Sequence, residues 1–259
     1  MADIYLGTSG YDYDEWSGSF YPPKLKKTDR LSYYAQHFNA LELNGSYYRI
    51  PTASQLARMA ERSDRKLKFT IKAFKGITHD IAPALTETTV AEFKTALEPL
   101  QTDNLLLSVL IQFPQSFHYD TAERIYLDKV LKLMSGIPII LEMRNIQWQN
   151  DNVYAELKKR QTGWCITDNP DLKDLPKPEP IVTSNNSYIR FHGRNAAMWY
   201  KGDNITRYDY LYSDTELDSF IPLIKELMQK THIVQLFFNN HAKSYATINA
   251  RKLKLLLEA

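Results

Sequence analysis

Short apolar runs, rich in β-branched and aromatic residues, alternate along this chain with longer stretches of helical period. The runs Ile4–Thr8, Ala40–Leu43, Lys68–Lys72, Leu105–Gln112, Ile139–Arg144, Trp164–Thr167, Tyr188–His192 and Val234–Phe238 read as eight buried parallel strands. Between them, Leu31, Tyr34, Ala35 and Phe38 follow i, i+3, i+4, i+7 spacing. Val90, Phe93, Leu97 and Leu100 form a second stripe, which Thr89 and Glu92 open as a capping box. Thr121 to Met134 reads as a helix burying Ile125, Val130, Leu131 and Met134, and a last helix runs near Ser244 to Leu257. Ser213 with Glu216 opens another helix, which Pro222 should kink or split because proline lacks an N–H and clashes with the preceding turn. The proline-rich stretch Asp168 to Ser187 predicts only a short or degenerate helix.

Eight strand-then-helix units predict one α/β domain over residues 1–259, a (β/α)8 TIM barrel. The length agrees, since such a barrel needs about 250 residues. A doubly wound open sheet is the alternative, and its glycine-rich phosphate fingerprint is absent. The single cysteine, Cys165, rules out an internal disulfide and favours a cytoplasmic home. Met1-Ala2-Asp3-Ile4 runs straight into a strand, so no signal peptide is expected, and no apolar run is long enough to span a membrane. The net charge of +2 and pI of about 8.4 fall below the pI above about 9 of a dedicated nucleic-acid domain. The basic clusters at Lys24 to Lys27, Lys158 to Arg160 and Arg251 to Lys254 read mainly as solvated faces.

The segments after strands one, three and seven are long: Ser9 to Asp29, Ala73 to Thr88 and Gly193 to Tyr212. The first carries Tyr11, Tyr13, Trp16, Phe20 and Tyr21; the third carries Trp199, Tyr200, Tyr208, Tyr210 and Tyr212. Long ordered loops are usually functional, and in a barrel all βα loops meet at the C-terminal face.

Side chains alternate across a strand, so the polar members of each run share a face opposite the apolar ones. Helices cover the outside, which turns Glu42 and Asn44, Thr70 and Lys72, Gln112, Glu142 and Arg144, Arg190 and His192, and Asn239 toward the axis. The same reasoning sets Cys165 and Thr167 outward and Ile166 and Asp168 inward, with Arg194 just beyond strand seven. These polar residues crowd the C-terminal strand ends, where barrel enzymes keep their chemistry, although a purely structural ion network would use the same residues. His79, on the long βα segment after strand three, is a candidate acid or base or a loop anchor. Cys165 reads as an inert buried thiol. Gly7-Thr8-Ser9-Gly10 reads equally as an anion cradle or as a tight turn.

The motifs Gly7-Thr8-Ser9-Gly10-Tyr11, Glu42-Leu43-Asn44, Phe69-Thr70-Ile71-Lys72, Thr78-His79, Gln112-Phe113-Pro114, Glu142-Met143-Arg144 with Trp148, Arg190-Phe191-His192-Gly193-Arg194 and Phe238-Asn239-Asn240 resemble the YecE-like family, domain of unknown function 72. The resemblance covers essentially the whole chain. It implies a TIM-barrel fold and bacterial or archaeal cytosolic proteins, and it carries over no particular reaction. His241, where an acidic residue is frequent, and Ile146-Gln147 before Trp148 depart from the pattern.

Four functions compete. The first is an enzyme acting on an anionic or phosphate-containing small molecule. Arg144, Arg190, Arg194 and Lys72 would clamp the anion, and Glu142, Glu42 and His192 would serve as catalytic groups. Asn44, His79, Gln112, Asp168, Asn239 and Asn240 would bind and orient the ligand. No cofactor is expected in that case. The second is a hydrolase or isomerase using a divalent metal on Glu142, Asp168 and His192, although the neighbouring arginines would repel a cation. The third is a glycosidase using Glu42 and Glu142, disfavoured by the same cations. The fourth is a non-catalytic module binding nucleic acid or a nucleotide on aromatics beside arginines. The oligomeric state is not readable from the sequence.

Overall fold

A computed structural model describes residues 2–258 of the chain. Eight parallel strands close into a barrel in sequence order: β1 (Asp3–Ser9), β2 (Ala40–Leu43), β3 (Lys68–Lys72), β4 (Leu106–Phe113), β5 (Ile139–Met143), β6 (Gly163–Asp168), β7 (Asn186–Phe191) and β8 (Ile233–Phe238). β8 pairs back onto β1, with Ile4 opposite Val234 and Thr8 opposite Phe238. The helices are α1 (Arg30–Tyr34), α2 (Ala53–Arg62), α3 (Lys75–Thr78), α4 (Thr86–Thr102), α5 (Thr121–Leu133), α6 (Asp151–Lys159), α7 (Asp214–Asp218), α8 (Ile221–Lys230) and α9 (Tyr245–Glu258). Among the described residues no helix is long and apolar enough to cross a membrane.

The strand alternation divides the apolar side chains into two clusters. Leu41, Phe69, Ile71, Leu141, Ile189, Phe191, Leu236 and Phe238 face the helices, while Ala40, Leu107, Leu110, Ile140, Tyr188 and Phe237 fill the barrel. β6 is the exception to the expected parity. Cys165 belongs to the inner cluster and Ile166 to the outer one, so Asp168 leaves the axis as well. A polar set of Thr70, Ser108, Gln235 and Asn186 fills the N-terminal half of the interior; Gln235 accepts from Thr70 at 2.5 Å and Ser108 at 3.2 Å and donates to Asn186 at 2.7 Å.

Local chemistry sets the helix boundaries. Thr52 and Gln55 form a capping box on α2, a helix that the apolar pattern had not marked. The box formed by Ser213 and Glu216 is present on α7, and Pro222 splits the segment, with α8 starting afresh around it. Thr89 does not cap α4, which begins three residues earlier, directly after the turn Pro83–Leu85. Ile125, expected in the core, is 66% exposed on α5, whereas Val130, Leu131 and Met134 are buried. No helix lies between β6 and β7 among the described residues.

The Gly7-to-Gly10 segment has a structural explanation. Tyr34 inserts its hydroxyl between β1 and β2, accepting from the Thr8 N–H at 2.8 Å and donating to the Ala40 carbonyl at 3.1 Å. A Cβ on Gly7 would lie 2.0 Å from that carbonyl oxygen. Gly10 holds φ at +86°, a conformation that glycine adopts freely. Gly7→Ala should therefore cost about 1–3 kcal/mol through overpacking. Gly45→Ala, at a site with no atom within 4 Å, should change stability by less than about 0.5 kcal/mol. Urea unfolding of both variants checks the contrast.

Candidate functional site

The C-terminal ends of β2, β5 and β7 deliver Glu42, Glu142 and Arg190 to one buried point. Arg190 is 1% exposed and both glutamates are fully buried. Its guanidinium donates from Nη2 to Glu42 Oε1 at 2.7 Å and from Nη1 to Glu142 Oε2 at 2.6 Å. Tyr188 donates its hydroxyl to Glu42 Oε2 at 2.6 Å. Arg144 donates from Nε to Glu142 Oε1 at 2.5 Å, and His192 Nε2 lies 3.4 Å from the same oxygen. Every carboxylate oxygen of the pair is thus engaged. Burial alone would raise the Glu142 carboxyl, but Arg190 and Arg144 outweigh it and hold it well below the usual range. Burial and Arg144 push the His192 imidazole well below its ordinary value, so the ring is neutral near pH 7. Arg144 Nη2 lies 3.1 Å from His192 Nε2, and the Asn239 amide lies 3.1 Å from the other ring nitrogen.

Above this cluster opens a cavity of about 940 Å³. Asn44, Lys72, His79, Gln112, Arg144, Arg190 and Asn239, all anticipated from strand parity or loop position, line it. Glu42, Glu142 and His192 do not; they form the layer beneath its floor. The walls are aromatic: Tyr11 and Tyr13 from the loop after β1, Tyr47 and Tyr48 after β2, and Trp199, Tyr200 and Tyr208 after β7. Trp16, Phe20, Tyr21 and Tyr212, from the same loops, are buried in the core instead.

Three further anticipated residues, Asp168, Arg194 and Asn240, also lie outside the cavity lining. Asp168 turns to the outer side of β6, where Arg194 binds it at 2.9 Å and Tyr212 donates to it at 2.5 Å. Arg194 also reaches Glu216 at 3.3 Å, so this group anchors the loop after β7 to α7. Asn240 donates to the Tyr210 carbonyl and to Asn249 and braces the same region. The set Glu142, Asp168 and His192 is therefore not brought together, and among the described residues no three His, Cys, Asp or Glu side chains are placed to share a metal ion. Cys165, expected to face a helix, instead lies in the barrel with Sγ 3.8 Å from Glu142 Oε2, and burial pushes its thiol up.

Arg207 and Tyr47 line the cavity and escaped the sequence reading. Tyr47 stands three residues beyond Asn44, and only its position after a strand end could have marked it. Lys72 Nζ sits 4.4 Å from the Tyr47 ring centroid and enters no ion pair among the described residues. Burial first, then Arg190 and Arg144, push the amine down to about 7 against the pull of Glu142 and Glu42. Burial and Lys72 push His79 down to about 4.

Arg190→Met leaves two buried carboxylates without their shared partner and should cost about 3–5 kcal/mol in urea unfolding. The depressed Lys72 value yields a second expectation. Between its folded value of about 7 and the unfolded value of about 10.4, the unfolded chain binds more protons, so this group's contribution to stability rises with pH. Lys72→Met should therefore stabilise the protein more at pH 6 than at pH 10; equal shifts at both would contradict a depressed amine.

Residues 5–259 match the family described as "Protein of unknown function DUF72". The chain is 31% identical to the UPF0759 protein YunF of Bacillus subtilis (strain 168), across 98% of this chain and 95% of that protein. Among solved structures it is similar to a DUF72 family protein from Thermotoga maritima MSB8, at TM-score 0.90 and 32% identity, covering 99% of both chains. A second, from Enterococcus faecalis V583, aligns at TM-score 0.86 and 27% identity, over 99% of this chain and 96% of that one. Family match and barrel architecture agree: the chain belongs to the DUF72 family of TIM-barrel proteins.

Proposed function

We propose that this protein is an enzyme acting on an anionic small molecule, with a phosphate or carboxylate group, bound in the C-terminal mouth of the barrel. One observation carries the reading: the cavity walls hold cations with no carboxylate left to answer them. Glu42 and Glu142 are saturated beneath the floor by Arg190, Tyr188, Arg144 and His192. Asp12, the acidic residue of the lining, is bound by Arg30 at 2.5 Å. Arg207, Lys72 and the outer edge of Arg144 therefore present unanswered positive charge to the cavity, where low-dielectric walls focus the field.

Buried polar atoms support the same reading. Among the described residues the donors Arg190 Nε and Arg207 Nε have no partner, although buried polar groups are ordinarily paired. The volume suits a small ligand, and the aromatic walls suit a ring or a flat face. In this reading Glu42, Glu142 and His192 are positioning residues that hold Arg190 and Arg144. Lys72 and His79, titrating near 7 and 4, are the groups that meet substrate and move protons. The lone cysteine is consistent with work in a reducing, cytoplasmic compartment.

Calorimetry and thermal melts with inorganic phosphate, pyrophosphate and simple carboxylates test the proposal. At a hundredfold excess over Kd, a bound anion should add about 2.7 kcal/mol of stability. Arg207→Met should weaken binding at least about tenfold, since hydrogen bonds to charged groups contribute about 1.5–3 kcal/mol. Arg160→Met, remote from the mouth, should leave it unchanged. Absence of binding by every anion of the set would remove the basis for the proposal.

A further inference from the structure

Resting on the anion reading above, we propose that Lys72 is a nucleophile that forms an imine with a carbonyl substrate carrying an anionic group.

The argument begins with the geometry of the acids. Lys72 closes β3 and lines the cavity, and the two glutamates beneath the floor, Glu42 and Glu142, are the usual kind of partner for an inward lysine. Neither is available to it. Arg190 takes one oxygen of each glutamate, Tyr188 takes the second oxygen of Glu42, and Arg144 with His192 occupies the second oxygen of Glu142. Two guanidiniums cannot shed a proton at physiological pH, so the amine is the cation of this group that can. Its surroundings favour that loss. It stands half-buried against the face of Tyr47, close enough to Arg190 and Arg144 to feel their repulsion, with His79 neutral beside it. An amine desolvated beside other cations is the arrangement that activates lysine for attack on carbonyl carbon.

The neutral amine attacks the carbonyl carbon; a C–N bond forms, and the carbonyl oxygen takes up a proton to give a carbinolamine. The C–O bond then breaks and that oxygen leaves as water, carrying the two hydrogens that the amine brought. No oxidant or reductant enters. A hydroxyl acid speeds the departure of water, and Tyr208 fits that part: it lines the cavity, and although burial raises its phenol, Arg144, Arg190 and Arg207 outweigh this and hold it below its ordinary value. Tyr208 lends a proton to the leaving oxygen and regains one from the nitrogen. The substrate's anionic group would rest on Arg207 and the free edge of Arg144. The competing role for Lys72 is that of a point charge on the anion; an arginine could fill that role, whereas it could not form an imine.

The probe is pyridoxal 5′-phosphate, an anionic aromatic aldehyde, followed by borohydride reduction and peptide mapping on the full chain at pH 7. At that pH a lysine titrating near 7 is about half neutral, against less than about one part in a thousand for an exposed one. One adduct on Lys72 is expected, formed about a hundredfold faster than on exposed lysines, since lower basicity offsets part of that advantage. Inorganic phosphate should suppress it, pyridoxal without the phosphate should react more slowly, and Tyr208→Phe should slow it. Lys72→Arg and Lys72→Met should lack it while melting cooperatively. If phosphate protects the fold yet label spreads evenly over exposed lysines, the anion site stands and the imine falls. If pyridoxal labels Lys72 as fast as its phosphate ester and phosphate does not compete, the anionic substrate falls, and this proposal with it.

Discussion

Arg190 spans the barrel and ties β7 to β2 and β5 by charge. Removing three ions from water costs several kcal/mol each unless geometry and hydrogen bonds compensate. Here a planar guanidinium meets one oxygen of each glutamate at 2.6–2.7 Å, and neighbours satisfy the remaining oxygens. The barrel supplies the precision, because all three side chains stand on strands that cannot shift independently. What lies above follows from this lock. Arg144 is oriented by Glu142, His192 is kept neutral beside it, and Lys72 is left without a counterion.

A second group of charges acts at a distance from the mouth. Asp168, Arg194, Tyr212 and Glu216 pin the loop after β7. That loop delivers Trp199, Tyr200, Arg207 and Tyr208 to the cavity. On the other side, Arg30 binds Asp12 and Asp14, and the Trp16 indole donates to the His241 carbonyl at 2.8 Å, which joins the loop after β1 to the one after β8. Tyr13 stacks on His241 with centroids 4.6 Å apart. The aromatic walls are thus held in part by structural ion pairs, and one of them, Asp168 with Arg194, has the same sequence signature as a site: charged residues at or just beyond strand ends.

That shared signature explains where the sequence reading diverged from the fold. Strand parity placed Glu42, Lys72, Gln112, Glu142, Arg144 and Arg190 correctly because each alternates with residues that belong against helices. It failed for β6, where Gly163-Trp164-Cys165-Ile166-Thr167 is buried on both faces and gives no contrast to choose between them. Asp168 and Cys165 were exchanged as a result. Thr89 matched a cap by spacing, yet the preceding Pro83–Leu85 turn started α4 earlier. Arg207 and Tyr47 lie in single 3-10 turns, too short to carry a hydrophobic period, so no pattern pointed to them.

The sequence by itself determined the strand count, the barrel and the end of it that gathers charge, because burial period is a local property that each segment carries on its own. Only the tertiary structure decided which charges neutralise one another and which are left facing the cavity. Those partnerships join β2, β5 and β7 across the barrel, and the residues involved are up to 148 positions apart in the chain. Coulomb energy and desolvation depend on distance and burial in space, and neither can be read from order along the polymer.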